Sequence, residues 1–232
     1  MSDLTRRINA VLGQTLGVQV TPGRNRAIRL GADWFVRLLY FERLLDAVSS
    51  VPGDVVECGV ADGSSLAMLG SLMRANGQLR DEWGFDSWEG LPPPSEADLT
   101  LGESIASGGM FEHASIRRVH EEFAGYGWSE QEIQRSVRLV PGLFEQTLPK
   151  FSGAIALLHV DADLYDSYHS CLTNLWPQLG VGGIAAFDEY DEPDLWPGAR
   201  RAVDEFLGSL PGGAAELCRD ERSGKWWARK QA

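Results

Sequence analysis

The chain has 232 residues, 44% hydrophobic and 23% charged, enough apolar material for one sizeable core. Its formal net charge of −12 argues against a protein that binds nucleic acid by neutralising phosphates, and no apolar run reaches the ~20 residues needed to span a bilayer. Cys58, Cys171 and Cys218 are too scattered for a disulfide framework or a zinc site, and "MSDLTRRINAVLGQTLG" lacks a signal-peptide pattern, so the expectation is a reduced, cytoplasmic protein.

Residues 1–30 read as an N-terminal arm or lid, with an irregular basic stretch, "QVTPGRNRAIRLG". Residues 31–232 read as a single domain. Its first helix is predicted over 33–48, capped by Asp33, with Trp34, Leu38, Phe41, Leu44, Leu45 and Val48 on the buried face. Short apolar strands then alternate with helices. The strands are "DVVECGV", "DEWGFDSW", "RSVRLV", "AIALLHVDAD" and "GGIAAFDEY". The helix after the fourth strand places Leu164, Tyr168, Cys171, Leu172, Leu175 and Leu179 on one face, and the helix after the fifth does the same with Ala199, Val203, Phe206, Leu207 and Leu210. Such alternation predicts a doubly wound, mostly parallel α/β sheet. A helical insertion spans about 91–134, and "AAELCRDERSGKWWARK" reads as a closing hairpin.

Ligands of open parallel sheets bind at the carboxyl ends of the strands. Those ends carry Glu57, then Asp86, then Asp161 with Asp163, then Asp188 with Glu189, so four of the five parallel strands deliver acids to one edge. The Gly59–Gly63 loop has G-x-x-x-G spacing, not the dinucleotide pattern, and its glycines allow close approach to a ligand. With Glu57 before it and Asp62 inside it, the loop favours a ligand that carries a cation, as the amino and sulfonium groups of S-adenosylmethionine do. A purely structural strand-to-helix turn is the competing reading. Asp86 suits a ribose diol. Asp161, Asp188 and Glu189 would repel one another if left unpaired and suit Mg²⁺ or another divalent cation. Asp163, two residues past Asp161, points to the same side if the chain there is extended, which allows it to support the cation's ligands or to act as a general base. His159 reads as a core histidine or a catalytic one. Trp88, Tyr165, Tyr190 and Trp196 are candidate walls for a ring-shaped acceptor.

These segments, in order, resemble the macrocin O-methyltransferase-like family of class I, S-adenosylmethionine- and metal-dependent methyltransferases. The likeness runs from about Gly53 to Phe206 through "PGDVVECGVADGSS", "GFDSWEGLP", "FAGYG", "GLFEQTLP", "LLHVDADLYDS", "LWPQLGVGGIAAFDEY" and "ARRAVDEF". It implies the Rossmann-like class I fold, seven strands ending in an antiparallel hairpin, and methylation of a sugar or phenolic hydroxyl in natural-product (antibiotic) biosynthesis. It implies Glu57, Gly59, Gly63 and Ser64 around the methionine part of the cofactor, Asp86 and Ser87 at the ribose, and Gly142 and Leu143 beside the adenine. Asp161, Asp188 and Glu189 become the metal ligands and Asp163 the base. Glu189 departs from the family, in which a second consecutive Asp is usual. A small-molecule hydroxyl acceptor, no nucleic acid or membrane partner, and a homodimer complete the expectation. The main rival is a non-catalytic S-adenosylmethionine-binding regulator of the same fold. A nicotinamide dehydrogenase is disfavoured by the glycine spacing, and a metal-dependent hydrolase by the lack of histidine ligands.

Overall fold

The computed structural model describes residues 32–99 and 108–232, so the arm expected over 1–30 and part of the insertion lie outside the described residues. Seven strands form one sheet in the order β3-β2-β1-β4-β5-β7-β6. They are β1 (Asp54–Cys58), β2 (Glu82–Asp86), β3 (Val137–Pro141), β4 (Ile155–Val160), β5 (Leu179–Phe187), β6 (Ala215–Arg219) and β7 (Trp226–Lys230). Strands β1 to β5 pair in parallel, while β7 runs antiparallel to both β5 and β6, as the closing hairpin requires.

The central strands are apolar on both faces because helices cover both. On one face α1 (Ala32–Ala47) and α2 (Ser64–Ala75) cover Val55, Leu157, Ile184 and Ala186. On the other, α6 (Tyr165–Leu175) and α7 (Pro197–Ser209) cover Val56, Leu158, Ala185 and Phe187. In α1 the buried residues are Tyr40, Phe41, Leu44 and Leu45, whereas Trp34, expected on that face, is 38% exposed. The helix packs mainly through its second half, with Leu38 the one contact from the first.

Among the described residues are also three short α-helices, α3 (Ile116–Gly125), α4 (Glu130–Ser136) and α5 (Phe144–Thr147), and three single 3-10 turns at Glu96–Asp98, Leu148–Lys150 and Trp176–Gln178. The sequence reading missed α4, and the third strand begins at Val137, after that helix ends. The signal was there: Ser129 and Glu132 form a capping box, with Ser129 N–H and Oγ–H both donating to Glu132 Oε2 at 2.8 and 2.7 Å. The fifth strand starts at Leu179, earlier than expected, because a glycine-rich bulge interrupts its register with β4 between Ile155 and Leu157.

Glu82 opens β2 as a buried acid, and neither carboxyl oxygen has a hydrogen-bond partner. Burial, with a contribution from Glu57, raises its pKa well above the carboxylate range. The folded protein therefore holds a proton that the unfolded chain releases above about pH 4.3, and stability falls as pH rises from there. Glu82→Met keeps the shape and removes that slope. Melting at pH 8 should rise by several degrees, a gain of about 1–3 kcal/mol, and the gap should close toward pH 4.

Candidate active site

The hydrogen-bond ladder of the sheet continues one residue beyond the strands and draws the strand ends into a line. Gly142 N donates to Asp86 O, Gly59 N to Phe85 O, Asp161 N to Cys58 O and Asp188 N to Val160 O, at 2.9 to 3.0 Å. Above this edge lies a cavity of about 520 Å³. All the residues expected at the cofactor line it: Glu57, Gly59, Ser64, Asp86, Ser87, Gly142 and Leu143, except Gly63, which caps α2 beneath. Asp161 and Asp163 line it too.

The two loop glycines owe their place to packing as well as to any ligand. Gly59 has φ +87°, and a Cβ there would overlap the carbonyl oxygen of Asp161. A Cβ on Gly63, also at φ +87°, would lie 2.8 Å from Val119 Cγ1 on α3. Asp62 turns away from the cavity and pairs with Arg118 at 3.0 Å, so of the two loop acids only Glu57 faces the pocket. Asp86 organises the loop: its Oδ2 accepts from Val60 N and Ala61 N, both at 2.8 Å, and its Oδ1 from Trp88 N at 2.7 Å. Oδ1 keeps acceptor capacity for a ligand hydroxyl.

Parallel register sets Glu57 beside His159. His159 Nδ1 lies 2.8 Å from Glu57 Oε1, and its Nε2 faces Asp188 Oδ1 at 3.8 Å. Both side chains are 1% exposed, so the histidine is a buried link between strand ends and is not solvent-facing. Burial opposes its charge, but Asp188 and Glu57 outweigh burial and lift its pKa to about 9. Burial lifts Glu57 to about 7 against the pull of His159. Glu57 Oε2 is buried at the cavity without a partner.

Asp161, Asp188 and Glu189 converge as expected, each offering an oxygen within 4.8 Å of the others. Burial works against ionisation of Asp188, yet His159 and Arg37 more than offset it and hold its pKa low. Burial and Asp161 push Glu189 far up. The Tyr168 hydroxyl sits between two acceptors, 2.8 Å from Val160 O and 2.5 Å from Glu189 Oε2, and fixes the Glu189 side chain beside the strand end.

Asp163 departs from the extended geometry assumed for it, since its φ is +59°. The left-handed residue ends the strand direction and turns into α6, yet leaves the carboxyl in the cavity wall. Burial first, then Asp161, Asp188 and Asp86, pushes it up to about 8. The proposed aromatic wall is corrected. Tyr190 Oη donates to Asp204, Tyr165 Oη to Glu205 and Trp88 Nε1 to Ala61 O, and half-buried Trp196 packs against the core, none of them lining the cavity. Phe111, Phe144 and the Leu91–Pro93 turn line it instead. Asp98 stitches this insertion down: its Oδ1 accepts Tyr165 N–H at 2.7 Å.

Arg37, on α1, was not singled out from the sequence. Its Nη1 donates to Ser65 Oγ at 2.8 Å and its Nη2 to Asp188 Oδ2 at 3.0 Å.

The family model for macrocin O-methyltransferases (TylF) matches residues 36–228. Demethyldecarbamoylnovobiocin O-methyltransferase of Streptomyces niveus is 33% identical over 185 residues, covering 78% of this chain and 68% of the relative. Mycinamicin III 3''-O-methyltransferase of Micromonospora griseorubida is 30% identical over 188 residues, covering 77% and 69%. Among solved structures, the calicheamicin methyltransferase CalS11 superposes with a TM-score of 0.75 at 26% identity, over 99% of this chain and 93% of that one. The O-methyltransferase NovP gives 0.69 at 28%, over 85% and 80%. Matched by the family model over most of its length, and by relatives 30% and 33% identical, the chain belongs to the macrocin O-methyltransferase (TylF) family of S-adenosylmethionine-dependent O-methyltransferases.

Proposed function

We propose that the protein methylates a hydroxyl of a sugar or phenolic natural-product intermediate, with Asp163 as general base and a divalent cation held by Asp161, Asp188 and Glu189. The observation that carries this reading is the single cavity that joins the glycine loop to the carboxylates on one sheet edge. The relatives support the acceptor class, being named for demethyldecarbamoylnovobiocin, a rhamnosyl-tetracenomycin C and mycinamicin III.

The residues fit the cofactor. Glu57 Oε2, buried and without a partner, suits an ammonium group, and the first turn of α2 at Ser64 and Ser65 offers N–H groups to a carboxylate. Asp86 Oδ1 and Ser87 suit the ribose, and Gly142 with Leu143 would border the base. S-adenosylmethionine supplies an electrophilic methyl on its sulfonium. The three acids fit a hard cation by donor type and spacing, and such an ion lowers the pKa of a bound hydroxyl. Asp163, in the wall beside Asp161, takes the hydroxyl proton as the acceptor oxygen attacks. The cavity walls hold the reactants in line and exclude water.

A radiolabelled methyl-transfer assay against a panel of glycosylated aromatic and macrolide acceptors tests the proposal. Label should reach a hydroxyl of at least one acceptor, and a chelator should lower the rate by about 10²-fold or more, within the range for lost charge stabilisation. Cofactor binding with no transfer to any acceptor would favour the non-catalytic regulator.

A further inference from the structure

The guanidinium of Arg37 sits where a cation is wanted. It bridges two of the three candidate metal ligands, 3.0 Å from Asp188 Oδ2 and 3.7 Å from Asp161 Oδ2. Among the described residues, the other cation paired with these acids is His159, which reaches Asp188 at 3.8 Å from behind. His159 cannot leave: its ring is buried on β4, held by Glu57 and packed edge-on against Phe41 at 5.0 Å. Lys225 contacts only the backbone oxygen of Asp188 and pairs with Asp191 and Glu192.

Arg37 is differently placed. Its side chain is 32% exposed and lines the cavity. It springs from the first half of α1, where Asp33 to Leu39 are exposed or only half-buried and Leu38 alone packs against the core. Swinging aside would cost this side chain its bonds to Ser65 and Asp188 and its pairing with Asp161, but little packing. The fork geometry of arginine suits bridging two carboxylates, but a divalent ion on the same oxygens would leave the guanidinium unpaired and repelled.

We infer that Arg37 is the resident counter-cation of this acid cluster and exchanges with the divalent ion, leaving Asp188 and Asp161 when the ion binds. The exchange rests on the proposed cation site. It makes Arg37 and the ion competitors for the same oxygens. The free site stays neutralised, and ion affinity is set below what the three acids alone would give. Once displaced, Arg37 also releases Ser65 at the start of α2.

The test is calorimetric titration of Mn²⁺ into wild type, Arg37→Gln and Arg37→Lys at pH 8, with S-adenosylhomocysteine binding and melting temperature as checks of folding. Arg37→Gln should bind Mn²⁺ about tenfold more tightly, a typical coupling between linked sites, and Arg37→Lys should fall between it and wild type. In wild type, phenylglyoxal labelling of Arg37, read by mass spectrometry, should rise when Mn²⁺ is added. Equal or weaker Mn²⁺ affinity in Arg37→Gln, with labelling unchanged by the ion, would overturn the exchange while leaving the cation site standing. Failure of Mn²⁺ to bind either protein would remove the cation site and the exchange together.

Discussion

Gly59→Ala should leave no folded, cofactor-binding protein. The left-handed backbone at φ +87° strains any side chain, but the larger penalty is steric, because the new methyl would collide with backbone and not with a movable side chain. The neighbour is the carbonyl of Asp161, whose own N–H is bonded to Cys58 O in the ladder between β1 and β4. Making room would pull apart the two central strands at the point where they build the cavity. A loss above about 4 kcal/mol is expected, a large part of a domain's usual margin. Gly125→Ala, near the end of α3 with open space around it, is the control and should melt at or above the wild-type temperature. Urea denaturation of both variants checks the pair, and a Gly59→Ala protein that folds and binds S-adenosylhomocysteine normally would contradict the packing account.

Asp163→Asn should cut methyl transfer by about 10³-fold while leaving S-adenosylhomocysteine affinity near wild type, since it removes a base and keeps the shape. The pH profile carries the finer statement. In the absence of cation, burial and the neighbouring acids hold a proton on Asp163 up to about pH 8. A base must be ionised to act, so the rate should rise with pH through that value at low cation concentration. Added cation offsets the charge of Asp161 and Asp188 and should move the rising limb to lower pH. In the Asn variant that limb should vanish. Stopped-flow or discontinuous rate measurements from pH 6 to 9 check both points.

Much of this site was legible because a buried parallel strand is an apolar run, and an acid directly abutting its end is conspicuous. Asp161, Asp188 and Glu189 stand out in that way, and parallel register then brings them together. What escaped the reading depends on contacts between distant segments. Arg37 reaches Asp188 across 151 positions, and nothing in an amphipathic helix marks which arginine will do so. The Glu57–His159 pair, 102 positions apart, follows from register, which the apolar pattern of two adjacent strands does not specify. The tryptophans and tyrosines near strand ends misled because their hydroxyl and indole groups find partners such as Asp204 and Ala61 within the packing. The positive φ of Asp163 was likewise invisible: aspartate adopts the left-handed region more readily than most residues, but only the turn into α6 makes it do so here.

The central claim is that one sheet edge holds cofactor and cation side by side. Crystals grown with S-adenosylhomocysteine and Mn²⁺, measured for anomalous scattering from manganese, test it most directly. The account predicts the nucleoside in the cavity over Gly59–Gly63 with its ribose at Asp86, and a manganese peak ligated by Asp161, Asp188 and Glu189. Nucleoside density elsewhere, or a saturating Mn²⁺ soak that leaves no peak between those three carboxylates, would contradict it.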